Sequence, residues 1–238
     1  MDVMTSKIAV VLARPEHPAN IGFVARNMKN TGFGQLRLVG ISGIEEESYK
    51  TAVHARDILD SARLYGRLAE ATADLEVVFA ASSKKRKSYS HLSLEDVVEK
   101  VYHFPDSTRV GFLFGNERTG LTSEELKYSN YRFAIPQATE QPSYNLAAAV
   151  LITLFRIFSH MQDLPDGVER ERPLSQDEQL ACIRIILGKL EKKGFLHKTN
   201  KAHTSEMIYD LFGRLCMTDK DRRLLLAIFS KGANTCKK

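Results

Sequence analysis

The chain has 238 residues, of which 43% are apolar and 26% are charged, and its formal net charge is +5. This composition excludes a disordered, collagen-like or low-complexity chain, and the length suits one large domain or a medium domain joined to a small one. Residues 165–238 contain 15 Lys+Arg and 10 Asp+Glu, whereas residues 1–164 contain 19 of each. Because the positive excess lies entirely in the last third, the sequence predicts two regions with different roles.

Short apolar runs alternate with helical patterns through residues 1–164. The predicted strands are Ile8–Leu12, Leu36–Val39, Val77–Ala81, Val110–Phe114 and Arg132–Ile135. The predicted helices between them are Ile21–Lys29, Tyr49–Ala55, Leu94–Val101 and Ser123–Lys127. Asn20 and Thr122 are expected to be the N-caps of the first and last of these helices, and Gly32 to follow the end of the first. Alternation of this kind predicts an α/β domain with a parallel sheet covered by helices.

A long helix is predicted from Leu146 to Met161, and it is apolar around most of its circumference. Such a helix must be buried on most sides, either in the core or against a second subunit. Proline and glycine then interrupt the pattern, which predicts a linker over residues 165–174. Three helical stretches follow, so we expect residues 1–164 to form one domain and residues 175–238 a small all-helical unit. These stretches are Ser175–Lys193, Ser205–Leu215 and Asp219–Ser230.

The sequence also indicates where the protein is found and which sites it lacks. The N-terminal segment has no signal-peptide pattern, and no run of about 18 apolar residues occurs. The three cysteines form no CxxC pair, which is typical of a reducing compartment. The seven histidines show no metal-ligand spacing, and we expect no metal site. A soluble, cytoplasmic protein is therefore expected.

Ligands of parallel sheets bind where loops leave the carboxyl ends of the strands. No GxGxxG or GxxxxGK[ST] cradle is present, which weakens the hypothesis of a nicotinamide oxidoreductase or a P-loop enzyme. Four polar segments follow predicted strands, and together they favour a binding site at this edge of the sheet: residues 14–27, 81–87, 114–121 and 136–145.

Each segment also has a structural alternative. Arg26 suits the surface of a helix, and the basic run Lys84–Lys87 suits a solvated loop. The glycines around Glu117 suit a tight turn, while Ser143 and Asn145 suit helix caps.

Three of these segments resemble, in order, the motifs of the SPOUT methyltransferases that methylate ribose 2′-hydroxyls of RNA. The matching blocks are Asn20–Asn27, Phe114–Leu121 and Ile135–Leu146. The resemblance implies an α/β fold with a C-terminal trefoil knot, S-adenosylmethionine as the methyl donor, and a homodimer whose active site is completed by the partner. It is closest to members that methylate cytidine or uridine at nucleotide 32 of the tRNA anticodon loop.

The resemblance also implies roles for individual residues. The polar residues around the transferred methyl group are Arg26, Glu117, Ser143 and Asn145. A guanidinium is effectively never deprotonated, so Arg26 is expected to hold the ribose or a phosphate rather than to act as a base. Glu117 is expected to support its loop, with little cost on replacement by glutamine. The expected cofactor pocket is Ala81, Ser82, Ser83, Gly115, Ile135, Pro142, Ser143, Tyr144 and Leu146.

Basic side chains are expected to contact RNA phosphates in a salt-dependent manner. These residues are Lys84, Lys85, Arg86, Lys87, Arg184, Lys192 and Lys193. One departure from the family pattern is Arg118, which stands where many relatives carry glycine. The open alternatives are 2′-O-methylation of rRNA or of another tRNA site, and an RNA-binding module that has lost catalysis.

Overall fold

The sheet at the centre of the chain is parallel in all of its described pairings, as the alternating pattern predicts. The computed structural model describes residues 3–82, 91–138, 144–160, 172–196 and 201–231. Within these ranges, six strands form one sheet: β1 (Ile8–Ala13), β2 (Gln35–Val39), β3 (Arg63–Tyr65), β4 (Val77–Ala81), β5 (Val110–Phe114) and β6 (Tyr131–Phe133). Their order across the sheet is β3-β2-β1-β5-β4-β6.

Helices cover both faces of this sheet and continue into the C-terminal third. Those in the described ranges are α1 (Val3–Ser6), α2 (Pro18–Asn30), α3 (Glu46–Ala52), α4 (Arg56–Asp60), α5 (Leu68–Thr72), α6 (Leu94–His103), α7 (Ser123–Leu126), α8 (Leu146–His160), α9 (Gln176–Lys192), α10 (Lys201–Arg214) and α11 (Asp219–Lys231). None of these helices has both the length and the apolar character that crossing a membrane requires.

Alternate residues of the central strand face opposite layers of the core. Ile8, Val10 and Leu12 belong to the cluster that also contains residues of α2, α6 and α8. Ala9 and Val11 belong to a second cluster, with residues of α5 and α7. Because both faces of β1 are buried, its sequence is a continuous apolar run, which is why the strand was recognisable without any polar alternation.

Several predicted boundaries are wrong for local reasons. The first helix starts at Pro18 with His17 as its N-cap, so Asn20 lies in the first turn and does not cap it. The helix predicted over Tyr49–Ala55 ends at Ala52, because Val53 has a φ of 54° and α4 begins at Arg56. The predictions for Thr122 and Gly32 are confirmed: Thr122 forms a capping box with Glu125, and Gly32 has a φ of 80°.

The sequence does not reveal β3, because two of its three residues are exposed and show no apolar pattern. The helices α1, α4 and α5, of four or five residues each, were also missed. The last strand ends at Phe133, two residues before the predicted end, and α8 ends at His160. Most of the predicted linker lies outside the described residues, so the domain boundaries remain predictions.

The C-terminal helices are joined to the edge of the sheet by buried polar side chains. Asn130 follows α7 and is 4% exposed, while Gln176 and Gln179 on α9 are 3% and 2% exposed. The amide nitrogen of Asn130 donates to Gln179 Oε1 at 3.0 Å and to the Gly213 carbonyl at 2.9 Å. Its amide oxygen accepts from the backbone N–H of Val78 at 2.7 Å. One side chain thus joins β4, α9 and the end of α10.

A buried carboxylate completes this junction. The side chain of Glu76 is fully buried and is paired with the guanidinium groups of Arg109 and Arg172. Its backbone carbonyl accepts from Gln179 Nε2 at 3.0 Å. Buried polar groups are costly unless all of them are satisfied, so these contacts fix one orientation of α9 on the sheet.

Replacement of Asn130 by alanine is expected to lower the free energy of unfolding by about 2–4 kcal/mol, because it leaves the Val78 N–H and the Gly213 carbonyl buried without this partner. Urea denaturation of the full chain measures the change. Asn30→Ala, at the exposed end of α2, is the matched control. Equal losses for the two variants would contradict a structural role for the junction.

Candidate functional site

A cavity of about 150 Å³ lies at the carboxyl edge of the sheet. Its wall is built from the end of β4, the loop after β5, the segment after β6 and the start of α8. The lining residues are Ala81, Ser82, Phe114, Gly115, Asn116, Glu117, Arg118, Thr119, Gly120, Leu121, Ile135, Gln137, Tyr144, Leu146 and Ala149. Three of the four segments expected at this edge therefore meet at one cavity.

The loop after β5 is closed on itself by backbone contacts. The Gly120 N–H donates to the Asn116 carbonyl at 2.8 Å, and the Asn116 side-chain oxygen accepts from the N–H groups of Arg118 and Thr119 at 3.0 Å each. Gly115 packs directly against the backbone of Gly120 and Leu121, on the opposite side of this loop. A Cβ atom at Gly115 would lie 2.4 Å from the Gly120 carbonyl carbon, so no larger residue fits this closed loop.

Arg14 supports the same loop from the end of β1. Its guanidinium donates to both carboxylate oxygens of Glu125, at 2.7 and 2.8 Å, and to the Gly120 carbonyl at 3.2 Å. The Arg14 carbonyl in turn accepts from the Asn116 side chain at 2.9 Å. Arg14 has a φ of 54°, and this uncommon backbone conformation is held by the contacts on both sides of the residue.

Glu117 connects the loop to the start of α2. One carboxylate oxygen accepts from the Glu16 N–H at 2.8 Å, and the other accepts from the His17 N–H at 3.2 Å and from Asn20 Nδ2 at 2.9 Å. The first N–H groups of a helix have no partner within the helix, and its N-terminus favours an anion. Glu117 therefore caps α2 from a distant segment of the chain, through the N–H of its N-cap residue His17, and also holds Glu16 just before the helix.

Both carboxylates that hold this loop are stabilised in the ionised form. Burial opposes ionisation of Glu117, but the hydrogen bonds from Asn20, Glu16 and His17 outweigh it and lower the pKa of Glu117. Burial also opposes ionisation of Glu125, but the hydrogen bonds from Arg14 and Thr122 outweigh it and lower the pKa of Glu125. Neither group is therefore poised to exchange a proton near neutral pH.

Two asparagines extend these contacts to α8. Asn145 Nδ2 donates to Asn20 Oδ1 at 2.9 Å, and Asn145 Oδ1 accepts from the Ala147 N–H at 2.9 Å, which caps the helix. Asn27, two turns further along α2, donates to the Ala147 carbonyl at 2.9 Å. The three blocks that carry the resemblance are thus joined by one hydrogen-bonded chain, from Glu117 through Asn20 to Asn145.

The structure brings together part of the predicted site. The residues of the expected cofactor pocket that line the cavity are Ala81, Ser82, Gly115, Ile135, Tyr144 and Leu146. Ser83, Pro142, Ser143 and Lys84–Lys87 lie outside the described residues. Of the expected polar residues, Glu117 lines the cavity, whereas Asn145 caps α8 beside it and Arg26 is exposed on α2.

The predicted RNA-binding residues of α9 differ in their surroundings. Arg184 and Lys192 are exposed and make no hydrogen bond or ion pair with another described residue. The ammonium group of Lys193 donates instead to the Phe229 carbonyl at 2.9 Å, near the end of α11. A cation is favourable at a helix C-terminus, so Lys193 has a structural contact that the sequence did not indicate.

Sequence reasoning missed the roles of Arg14 and Asn20. Arg14 reads as a loop residue after a strand, and Asn20 reads as a helix cap, because their partners lie about a hundred residues away. Tyr144 makes a third unpredicted contact, a hydrogen bond from its hydroxyl to the Pro136 carbonyl at 2.9 Å. Across the described ranges, no cluster of three or more His, Cys, Asp or Glu side chains is arranged to hold a metal ion.

Comparison with known proteins agrees with this geometry. The chain matches the SpoU rRNA Methylase family over residues 7–155. It is 36% identical over 234 residues to the tRNA (cytidine-2'-O-)-methyltransferase TrmJ of Methanocaldococcus jannaschii, covering 95% of this chain and 100% of that protein. The tRNA (cytidine/uridine/adenosine-2'-O-)-methyltransferase TrmJ of Pseudomonas aeruginosa is 31% identical, with coverages of 96% and 94%. The crystal structure of TrmJ from Z. mobilis superimposes with a TM-score of 0.79 at 28% identity, with coverages of 93% and 97%.

Gly115→Ala is expected to weaken binding of S-adenosylmethionine by about tenfold or more, because the added methyl group overlaps the backbone of Gly120 and Leu121. Gly34→Ala is the matched control, since a Cβ atom there meets nothing within 4 Å. Calorimetric titration with the cofactor measures both variants. Unaltered affinity in Gly115→Ala would show that the closed loop does not shape the cavity.

The geometry revises the expectation that glutamine replaces Glu117 at little cost. Both carboxylate oxygens accept from N–H groups, so the amide nitrogen of glutamine would face another donor. Glu117→Gln is expected to lower the free energy of unfolding by about 0.5–2 kcal/mol, the range for loss of a helix cap. Glu124→Gln, whose carboxylate is exposed and pairs with Lys127, is the control. A loss no larger than that of the control would refute the capping role.

Lowering the pH should also remove part of the stabilisation that Glu117 gives to the wild-type protein. The pKa of Glu117 is lower in the folded chain than its ordinary value of 4.5, so its stabilising contribution is complete above that pH. The contribution disappears as the pH falls through the lowered folded value. Urea midpoints measured from pH 6 downward should therefore decline more steeply for the wild type than for Glu117→Gln, and parallel curves would contradict the assignment.

Proposed function

The chain belongs to the SpoU rRNA methylase family, and we propose that it transfers a methyl group from S-adenosylmethionine to the ribose 2′-hydroxyl of a tRNA nucleotide. The observation that carries this proposal is the cavity at the carboxyl edge of the sheet, which is lined by residues of two of the three blocks that resemble the family motifs, Phe114–Leu121 and Ile135–Leu146. The named relatives that match nearly the whole chain are tRNA 2′-O-methyltransferases, which supports tRNA as the substrate.

The residues of the cavity fit the cofactor. SpoU methyltransferases depend on S-adenosylmethionine, which supplies an electrophilic methyl group on a positively charged sulfur. Apolar side chains of Leu121, Ile135 and Leu146 offer a surface for an adenine ring, while Gly115 exposes its backbone without a side chain. The hydrogen bond from the Tyr144 hydroxyl to the Pro136 carbonyl joins the two ends of the segment between β6 and α8, and so it fixes this wall of the cavity.

We place the methylated ribose at cytidine or uridine 32 of the anticodon loop. This assignment rests on the sequence resemblance, in which the block Phe114–Leu121 and the helical C-terminal unit match the members that act there. The names of the two relatives differ in the bases that they accept, cytidine in one and cytidine, uridine or adenosine in the other. A ribose hydroxyl is common to all of these nucleotides, so one catalytic geometry serves each of them.

The protein is proposed to act as a homodimer. The buried side of α8 includes Val150, Leu154 and Ile157, whereas Leu151, Phe155 and Phe158 on its other side are 37%, 53% and 37% exposed. Phe23 on the adjacent α2 is 42% exposed. A patch of large apolar side chains on two packed helices is typical of an interface. A second copy of the chain is the occupant that the family resemblance implies.

Dimerisation would also explain the position of Arg26. This residue lies one turn after Phe23, on the exposed side of α2, and it does not line the cavity of its own chain. No hydrogen bond or ion pair joins it to another residue in the described part of the chain. We therefore assign Arg26 to the active site of the partner, where it would complete the cavity.

Catalysis in this arrangement depends mainly on orientation. Holding the ribose hydroxyl in line with the methyl group can supply about 7–11 kcal/mol of the barrier. Arg26 is proposed to bind the ribose or its neighbouring phosphate and to stabilise negative charge that develops on the attacking oxygen. Glu117 and Asn145 are proposed to shape the site rather than to exchange protons, because their side chains are already engaged. Ser143, which the resemblance places beside the methyl group, lies outside the described residues.

Two further features of the proposal concern the RNA and the chain topology. Exposed Arg184 and Lys192 on α9, together with the basic run Lys84–Lys87, are proposed to bind tRNA phosphates. The C-terminal trefoil knot that the resemblance implies stays a prediction. A second candidate substrate is rRNA, which the description of the matching family favours.

Incubation with radiolabelled S-adenosylmethionine and unmodified tRNA transcripts tests the proposal. We expect label in one ribose of the anticodon loop, detected as resistance of the adjoining phosphodiester to alkaline cleavage. The matched control is an rRNA fragment under the same conditions. Label on a base, or on rRNA in preference to tRNA, would contradict the proposal.

Mixing two variants, assayed at an S-adenosylmethionine concentration too low to support Gly115→Ala, tests the shared active site. Arg26→Ala removes the residue assigned to the partner, and Gly115→Ala disrupts the cavity of its own chain. After the chains exchange, half of the dimers are mixed and each contains one intact site, so about a quarter of wild-type activity should return. No recovery in dimers shown to be mixed would mean that Arg26 acts within its own chain.

A further inference from the structure

Arg118 lines the cavity but has no role in the mechanism above. It lies on the closed loop after β5, and its side chain is 80% exposed at the mouth of the cavity. We propose that Arg118 is a substrate-binding residue whose guanidinium holds a phosphate of the RNA strand at this mouth. The proposal rests on the proposed tRNA methyltransferase function and adds a contact to the same site.

The backbone of Arg118 is held firmly. Its N–H donates to Asn116 Oδ1 at 3.0 Å, as does the N–H of Thr119. The Asn116 carbonyl accepts from the Gly120 N–H at 2.8 Å and closes the loop. A side chain that starts from a fixed backbone loses less freedom on binding than one on a loose loop, so the position is favourable for recognition.

The guanidinium itself is weakly engaged. Its ionic partner is Glu16, at 3.8 Å between Nε and Oε2, and the two side chains are 80% and 42% exposed. Exposed pairs at this separation contribute little to stability. The Glu16 carboxylate also accepts from Asn116 Nδ2 at 3.3 Å, so it keeps a partner when Arg118 turns away. The Arg118–Glu16 pair therefore contributes little to the stability of the fold, and binding of an anion explains an arginine at this position better.

The charges around the cavity favour an anionic group at its mouth. Among the described lining residues, Arg118 is the one cation and Glu117 the one anion, and the carboxylate of Glu117 is engaged by N–H groups at the start of α2. The positive charge of Arg118 is thus not neutralised within the cavity wall. An arginine whose charge is not neutralised by its neighbours can bind an anion through two N–H groups at once.

The anion is assigned to RNA because of where the guanidinium stands. A side chain that is four-fifths exposed faces solvent at the mouth of the cavity, where the strand that carries the target ribose must pass. The methyl donor would lie inside the cavity, so its carboxylate could reach Arg118 only at the rim. Phosphate contacts fix the register of a nucleic acid on a protein without reading its bases.

The test compares Arg118→Ala with Arg67→Ala in the full chain. Arg67 is the matched control because its side chain is also 80% exposed and is paired with Glu70, at the start of α5. For Arg118→Ala we expect KM for a tRNA transcript to rise about tenfold, with the dissociation constant of S-adenosylmethionine unchanged. The slope of log affinity for tRNA against log salt should fall by about 1, the value for one lost phosphate contact. Arg118→Lys should retain the slope, since a lysine also neutralises a phosphate.

Two results would overturn the assignment. A tRNA KM and salt slope equal to those of Arg67→Ala would show that Arg118 does not bind the strand. Weaker binding of S-adenosylmethionine with an unchanged salt slope would place the anion on the donor. Failure of this inference is distinguishable from failure of the proposed function, because in the latter case the wild-type protein would not methylate the transcript at all.

Discussion

The carboxylate of Glu117 is the contact on which the rest of the candidate site depends. It accepts from the N–H of His17, the N-cap residue of α2, from the N–H of the preceding Glu16, and from Asn20, which lies 97 residues away in the sequence. Asn20 in turn accepts from Asn145, which lies 125 residues after Asn20 in the sequence and immediately before α8. An ionised carboxylate at a helix N-terminus is favourable, so this chain of contacts is anchored by charge as well as by geometry. Two of these three segments, the loop after β5 and the start of α8, line the cavity.

The rigidity of the surrounding structure gives this contact its effect. The loop that carries Glu117 is closed by Asn116 and supported by Arg14, and Gly115 lets its two sides approach closely. Beneath it, β1 and β5 are buried on both faces. A binding site works best when its residues are fixed by packing and by hydrogen bonds to a second layer of residues. Here that second layer is polar and the scaffold beneath it is apolar.

The sequence predicted the features that depend on a local pattern, and it predicted that several polar loops meet at one edge of the sheet. The apolar runs at β1, β4 and β5 predicted strands because both faces are buried, and the capping box at Thr122 was recognisable from its spacing. It did not predict β3, which is exposed, or the role of Asn20, whose partner is distant. The cavity residues came from a resemblance rather than from periodicity, because contacts between remote segments leave no trace in a local pattern.

The C-terminal unit also contains contacts between remote segments that the local sequence pattern does not predict. Glutamine side chains are mostly exposed in proteins, yet Gln176 and Gln179 are buried against Asn130 and the backbone of Glu76. Polar residues are rarely buried without partners, and the partners here lie 46 to 103 residues away. As a result, α9, the helix that carries Arg184 and Lys192, has a fixed position on the sheet. The basic residues of α9 are therefore held in place by the fold.

A double-mutant cycle on Asn20 and Asn145 tests most directly whether one hydrogen-bonded chain assembles the site. The measured quantity is the free energy of S-adenosylmethionine binding in the wild type, in Asn20→Ala, in Asn145→Ala and in the double variant. Residues of one hydrogen-bond network commonly show coupling of about 0.5–3 kcal/mol, and we expect the pair to fall in this range, with the double variant losing less than the sum of the single losses. Strictly additive losses would contradict the account, because they would mean that the segments reach their positions independently of one another.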